Sequence, residues 1–487
     1  MRQRDKHQSL WCESGAICLE TPNSRLFSEG IQQYIQFMVK IKVRNLALTI
    51  AVVTVAMLPA GLAAQIIERM SLDSQEQQGT GPSWVPQSTR VIGDNGRFVV
   101  FSSDATDLVP NDGNGVSDVF LRDRQLGTTT RISVNKDDGG DASGQSHTPS
   151  INSSGRFIAF ASLAADLVEG DENGFLDVYV YDRIADEMIR ASVAVSPGEP
   201  NGDSKDPYIS GDGRYVTFSS SATNIVAEGA NANVDIYVRD LFLGETRKVS
   251  VRPGGVFTEL NSWNPAISAD GGHVVFTSGD NGLVPGDIEG PQDVFVRNLG
   301  NWDIERVSVS TGGGESNQRN GVAAINADGT VVAWWSRADN LVENDSNGHD
   351  DIFVRDRVAD TTTRINVSST GEQASNGGSY HVSITDSGRF VVFLSDASNL
   401  VDEDFNERGD IFSHDRVTGM TRRHSLTPSG TGGNDYSRTP SVSPDGMYIA
   451  FESLASDFVS DDDNLAQDVF LAWGPEVIMV DGFESHD

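Results

Sequence analysis

One short pattern, D-[VI]-[FY], returns at Asp118, Asp177, Asp235, Asp293, Asp351, Asp410 and Asp468, in steps of 59, 58, 58, 58, 59 and 58 residues. Spacing this regular means stacked copies of one unit. It therefore displaces the two- or three-domain division that 487 residues would otherwise suggest.

Each copy has the same parts. A short apolar stretch comes first ("PSIN" 149–152, "PAIS" 265–268), followed by a tight turn ending in Gly ("SADG" 268–271, "SPDG" 443–446). An alternating run comes next ("RFVVFSS" 97–103, "RFIAFAS" 156–162). After a polar loop come "DVFLRD" 118–123 and "TTTRISV" 128–134. Period-two alternation between turn residues predicts four short strands per copy. Four antiparallel strands repeated seven times predict an all-β, seven-bladed β-propeller.

The last copy lacks a fourth strand after "DVFLA" 468–472, and "IIERMSL" 66–72 matches the missing one. The N-terminal strand is therefore expected to complete the last blade. Closing the ring is expected to abolish sheet edges.

The pattern P-x-[IV]-S-x-D-G-R-[FY]-V-x-F-x-S … D-[VI]-[FY]-V-x-D … T-T-R-[VI]-S resembles the TolB-like, or WD40-like (PD40), propeller repeats of bacterial envelope proteins over residues 66–472. The resemblance implies a propeller that serves as a binding platform or accompanies a hydrolase domain, for which this chain leaves no room. Some propellers of this type resemble uronate lyases with mouth-facing histidines. That leaves an alternative: a channel-mouth enzyme such as a metal-assisted uronate lyase or glycan hydrolase. A structural envelope scaffold is a third reading.

The ends point to export. "NLALTIAVVTVAMLPAGLAA" 45–64 follows Lys40, Lys42 and Arg44 and ends in small residues, as a signal peptide does. The expected division is 1–37 as a mis-assigned, disordered upstream extension, 38–64 as the signal peptide, 65–472 as the propeller and 473–487 as a tail. Cleavage near Ala64 would leave a periplasmic or extracellular chain with no transmembrane span. It would also remove Cys12 and Cys18, and with them any disulfide. The tail "VDGFESHD" resembles the D-G-F-E endings of other exported bacterial proteins. With 36 basic against 70 acidic residues and a net charge of −34, nucleic acid is excluded as a partner. The expected partner is a protein, peptide or glycan, bound by a monomer.

The loop before each closing Asp is itself acidic. Full D-x-N-x-x-x-D triplets are Asp112, Asn114 and Asp118; Asp171, Asn173 and Asp177; Asp345, Asn347 and Asp351; Asp404, Asn406 and Asp410; and Asp462, Asn464 and Asp468. The third copy has Gly229 and Asn231, and the fourth has Asp287 and Glu289. Oxygens at this spacing suit Ca²⁺, with backbone or water completing the shell. Asx turns are the other reading. The Arg of R-x-S (Arg131, Arg190, Arg306, Arg364, Arg423, with Lys248 in the third copy) is expected to pair with an acidic neighbour. The F-x-S serines are expected to bond between strands, and Trp334 and Trp335 to pack in the core.

Structural positions keep a repeat, and binding positions break it. One column just before the innermost strand varies freely: His147, Lys205, Trp263, Gly321, Tyr380 and Arg438, with Trp84 in the first copy. His147, Lys205, Trp263, Tyr380 and Arg438 are expected to form a ligand-binding face at the channel mouth. The histidines are otherwise scattered, and no catalytic signature is present.

Overall fold

The computed structural model describes residues 67–195, 198–227, 233–287 and 290–475. The expected leader, the tail beyond residue 475, and Gly229, Asn231 and Glu289 lie outside the described residues.

Seven four-stranded antiparallel blades form a ring. Blade two shows the pattern, with Ser146–Ile151 innermost, then Phe157–Ser162, Asp177–Asp182 and Glu187–Arg190 at the outside. The alternation seen in the sequence decides which side chains meet. A second-strand aromatic faces a third-strand aromatic in every blade, from Phe101–Phe120 (centroids 5.8 Å apart) to Trp334–Phe353 (6.0 Å) and Phe451–Phe470 (6.0 Å). Such cross-strand pairs hold a blade together. Blades join through their lower turns. Gly155 has φ +71°, and a Cβ there would lie 2.3 Å from Phe98 of the preceding blade. Glycine is required there for both conformation and space.

The N-terminal strand Ile67–Arg69 completes the last blade, pairing Ile67 with Ala472 and Arg69 with Phe470. This is the expected closure. Closure does not abolish edges, however: each blade ends in an outermost strand of three or four residues, from the largely exposed Glu187–Arg190 to the largely buried Thr421–Arg423. Their shortness limits pairing with other chains.

The F-x-S serines bond between strands as expected, with Ser146 Oγ 2.8 Å from Ser162 Oγ, which in turn accepts the Ala164 N–H at 3.0 Å. Two features break the repeat. A small hairpin, Val251–Arg252 with Val256–Phe257, lies between blades three and four. The innermost strand of blade one is split into Ser83–Trp84 and Ile92–Gly93.

Candidate functional site

The acidic loops and the blade-to-blade connections share one face, called here the upper face. Gly113 N–H donates to Asp141 Oδ2 at 3.1 Å, and Asn114 Nδ2 donates to the Ala142 carbonyl at 3.3 Å. The two outer oxygens of each triplet converge, and the cation they meet belongs to the chain. Arg131 Nη1 is 3.0 Å from Asp112, 3.4 Å from Asp118 and 2.8 Å from Asp141. Arg190 holds Asp171, Asp177 and Glu199 at 3.2, 3.5 and 2.8 Å. Arg364 joins Asp345 and Asp351, Arg423 joins Asp404 and Asp410, and Arg69 of the latch joins Asp462 and Asp468. Lys248 Nζ reaches Asp235 at 2.6 Å in blade three.

The middle Asn does two jobs. Asn173 Nδ2 donates to Asp177 at 2.7 Å, and its Oδ1 accepts the Phe175 N–H at 2.7 Å, closing an Asx turn. Asn114, Asn347, Asn406 and Asn464 repeat that turn. Burial pushes Asp112 up to about 6, with Asp118 adding to the effect and Arg131 opposing it. Burial likewise lifts Asp177, Asp345 and Asp410 to about 6. Buried carboxylates like these need a partner of opposite charge. The expected Arg pairing and the Asx turns are both present.

The mouth of the channel is built by a bulge. In blade two the ladder pairs His147 with Ala161, then slips before Ser150 pairs with Ala159. The slip recurs after Lys205, Trp263, Asn320, Tyr380 and Arg438. An extra residue in a strand re-aims its side chain. At the bulge the backbone is left-handed in residues that are not glycine: Thr148 (φ +53°), Asp206 (+54°), Asn264 (+51°), His381 (+48°) and Thr439 (+46°). Such a backbone costs about 1–2 kcal/mol per residue. Strain of this kind gathers at functional sites.

Thr148, Asp206, Asn264, Val322 and Thr439 line a cavity of about 430 Å³ together with Trp84 and Glu452. The residues lining the cavity therefore stand one position after the expected column. His147, Trp263 and Tyr380 are half-buried beside the mouth, and Lys205 and Arg438 are exposed at its rim. Only Trp84 of that column lines the cavity. The missed residues carried a signal: Thr148, Asp206, Asn264 and Thr439 each precede a proline, and such dipeptides mark breaks in a strand.

The cavity has a floor. In blade one, residues 85–91 stand where blade two has only 148–150, and the longer segment crosses the channel. Ser88 Oγ donates to the Val382 carbonyl of blade six at 2.9 Å. Arg90 reaches Asp386 of blade six and Ser153 Oγ of blade two, both at 3.0 Å. Ser441 Oγ of blade seven donates to the Thr89 carbonyl at 2.8 Å. Glu452 Oε2 accepts the Val85 N–H at 3.0 Å. The segment is a plug tied to blades two, six and seven, and it forms the floor of the mouth.

Trp334 is fully buried in one core cluster, and Trp335, half-buried, packs against the next one, 6.1 Å from the Tyr380 ring. The two side chains alternate to opposite faces of one strand, and each face meets a neighbouring blade. His147 and His381 belong to blades two and six, and burial pushes His381 down to about 4. Among the described residues, no three His, Cys, Asp or Glu side chains are grouped to hold a metal ion. No helix among them is long and apolar enough to cross a membrane.

No family model matches this chain, and no curated protein matches it. Solved structures do. An oligogalacturonate lyase from Vibrio parahaemolyticus is similar at 12% identity over 85% of this chain and 98% of that one, with a TM-score of 0.49. The β-propeller domain of the Trilobed protease from Pyrococcus furiosus is similar at 12% identity over 81% and 94%, with a TM-score of 0.48. TolB from Acinetobacter baumannii is similar at 13% identity over 78% and 80%, with a TM-score of 0.37.

Proposed function

We propose that this chain is an exported, non-enzymatic propeller that receives a protein, peptide or glycan at the mouth of its plugged channel. One observation carries the reading. Thr148, Asp206, Asn264 and Thr439 come from four different blades, comprise three residue types, and hold the same unfavourable backbone around one cavity. A repeat that served the ring alone would relax that strain or fill the position uniformly. Export rests on the Lys/Arg-flanked apolar run 45–64.

The acidic loops have a separate role in this reading. Arginine places a positive charge where Ca²⁺ would otherwise sit, so the loops stiffen the upper face without an ion. Ca²⁺ binding stays as the rival proposal.

The test is retention of a partner from envelope and culture-fluid fractions on the full chain, with and without chelator. Val322→Trp, which fills the cavity, serves as the control. The expected result is a partner held by the wild type, indifferent to chelator, and lost with Val322→Trp at unchanged melting temperature. Equal retention by both proteins would refute the mouth as the binding site.

A further inference from the structure

The seven blades act as internal controls for one another, and the upper rim departs from the repeat most in blades five to seven. Arg319 stands where the first four blades have Pro82, Gln145, Asp203 and Asn261. Arg337 stands where they have Asp104, Leu163, Ser221 and Gly279. Arg438, in blade seven, faces Glu452 in its ladder.

Arg319, Arg438 and the neighbouring Arg408 lie on an aromatic bed. The Arg319 guanidinium is 5.2 Å from the Trp335 ring centre. Arg408 and Arg438 stand 5.1 and 5.2 Å from the ring of Tyr436. Two glycines make the bed possible. A Cβ on Gly321 would fall 1.8 Å from Trp335 Cε2, and one on Gly378 would fall 2.3 Å from the Tyr380 hydroxyl. Neither glycine has a positive φ, so what matters there is the missing side chain.

The guanidinium groups are only partly engaged. Arg319 and Arg337 share the buried Asp350 at 3.4 Å each, while 56% and 43% of their own side chains remain exposed. Arg438 forms no ion pair among the described residues, although it is exposed. His381 Nδ1, on the inner strand between them, has no hydrogen-bond partner among the described residues. A guanidinium stacked on a ring keeps its N–H edge free for carboxylates. Asp435 lies 4.0 Å from Arg408, and Asp396 is exposed near Arg438. The rim thus sets four exposed arginines against these two carboxylates, an aromatic strip locally richer in cations than a chain of net charge −34.

We infer that the rim of blades five to seven, from Arg319 and Arg337 past Tyr380 to Arg438 and Arg408, docks an acidic polypeptide segment whose carboxylates meet the arginines and whose apolar side chains meet Trp335 and Tyr380. The inference rests on the reading of this face as a binding surface and names the chemistry of its partner. Tyr, Trp and Arg together are the composition of protein–protein anchor points. The overall negative field disfavours a densely charged polyanion. A peptide with a few carboxylates among apolar residues meets the local charge without that opposition.

The test pans a display library of short random peptides against the full chain. Enriched peptides should be net acidic and carry aromatic or aliphatic residues. Their affinity should fall about tenfold or more with Arg319→Ala combined with Arg438→Ala. It should weaken as salt rises from roughly 50 to 300 mM. Arg156→Ala, a pair partner of Asp182 on the opposite face, should leave it unchanged. Enrichment of neutral or basic peptides overturns the inference. So does binding indifferent to the arginines, or the absence of any enriched peptide, including the case where a polyuronate binds instead. Val322→Trp separates the two readings: acidic peptides that need the arginines but ignore that variant keep the rim and remove the cavity.

Discussion

Arg438 and Glu452 stand opposite each other in the ladder of blade seven and feel each other's charge, yet they form no ion pair among the described residues. Glu452 turns to the plug and accepts the Val85 N–H, while Arg438 stacks by Tyr436 at the rim. One position serves the inside of the channel and its neighbour serves the outside.

The two residues should therefore respond differently to mutation. Glu452→Ala leaves a buried N–H without its acceptor and is expected to destabilise by about 1–3 kcal/mol. Glu452→Gln keeps an acceptor and should recover most of that. Arg438→Ala should stay within about 0.5 kcal/mol of wild type, as exposed substitutions do. Urea unfolding of the three variants measures the differences. An Arg438 effect as large as the Glu452 effect would show that the two act as an ion pair.

The arginine-centred loops make a prediction about ions. Millimolar Ca²⁺ should leave the wild-type melting temperature unmoved, because the Arg131 guanidinium already occupies the point where Asp112, Asp118 and Asp141 converge. Arg131→Met strands those carboxylates and should cost on the order of 3 kcal/mol. Ca²⁺ should then restore part of the loss by binding the folded state. A rise in wild-type melting temperature with Ca²⁺, reversed by chelator, would return the loops to the metal reading.

The latch is expected to matter to the whole ring. A chain starting at Asp73 loses the Ile67–Arg69 strand, the Arg69 ion pairs and the 2.5 Å bond from Ser71 Oγ to Asp468. Its melting temperature should fall by roughly 10 °C or more, since blade seven would expose its third strand. A peptide spanning residues 65–74, added in trans, should recover some of it. An unchanged melting curve would mean that three blade strands are enough.

His424 gives a pH dependence of known sign. It is buried between Ser413 Oγ (2.7 Å) and the Trp473 carbonyl (3.0 Å), tying blade six to blade seven. Burial pushes it down to about 4 in the folded chain. The unfolded chain takes up the proton near pH 6.5. Below that pH the unfolded state binds more protons, so stability is full above about 6.5 and is lost as pH falls through about 4. The loss should be on the order of 3 kcal/mol. Comparing wild type with His424→Gln from pH 7 to 4 isolates the effect, because other titrating groups cancel. Parallel curves would rule it out.

The blades, their number and the latch were legible because each is a statement about period. Seven copies of D-[VI]-[FY] and one displaced R-x-S strand leave little freedom. The mouth was legible only to within one residue. A column count assumes an unbroken ladder, and the slip between His147 and Ser150 breaks it. The proline after Thr148, Asp206, Asn264 and Thr439 marked that break. The acidic loops were legible in part, as Asx turns and as partners for the R-x-S arginine. Spacing within a loop shows which oxygens can converge, but the cation that meets Asp112 comes from Arg131, two strands away across the blade. The plug was visible as extra length between Ser83 and Gly93, but its ties to Val382 and Asp386 depend on the ring being closed.

The latch also sets an order in time. Ser71 and its partner Asp468 are separated by 397 positions. Whichever end of the polypeptide appears first must wait for the other, and the six blades between them can form from near neighbours meanwhile. The last step is one long-range encounter after local structure is complete, the kind of step that slows folding and leaves a half-finished sheet open to rescue or to aggregation. A helper that shields blade seven during that interval would act on a transient species that the finished ring no longer presents.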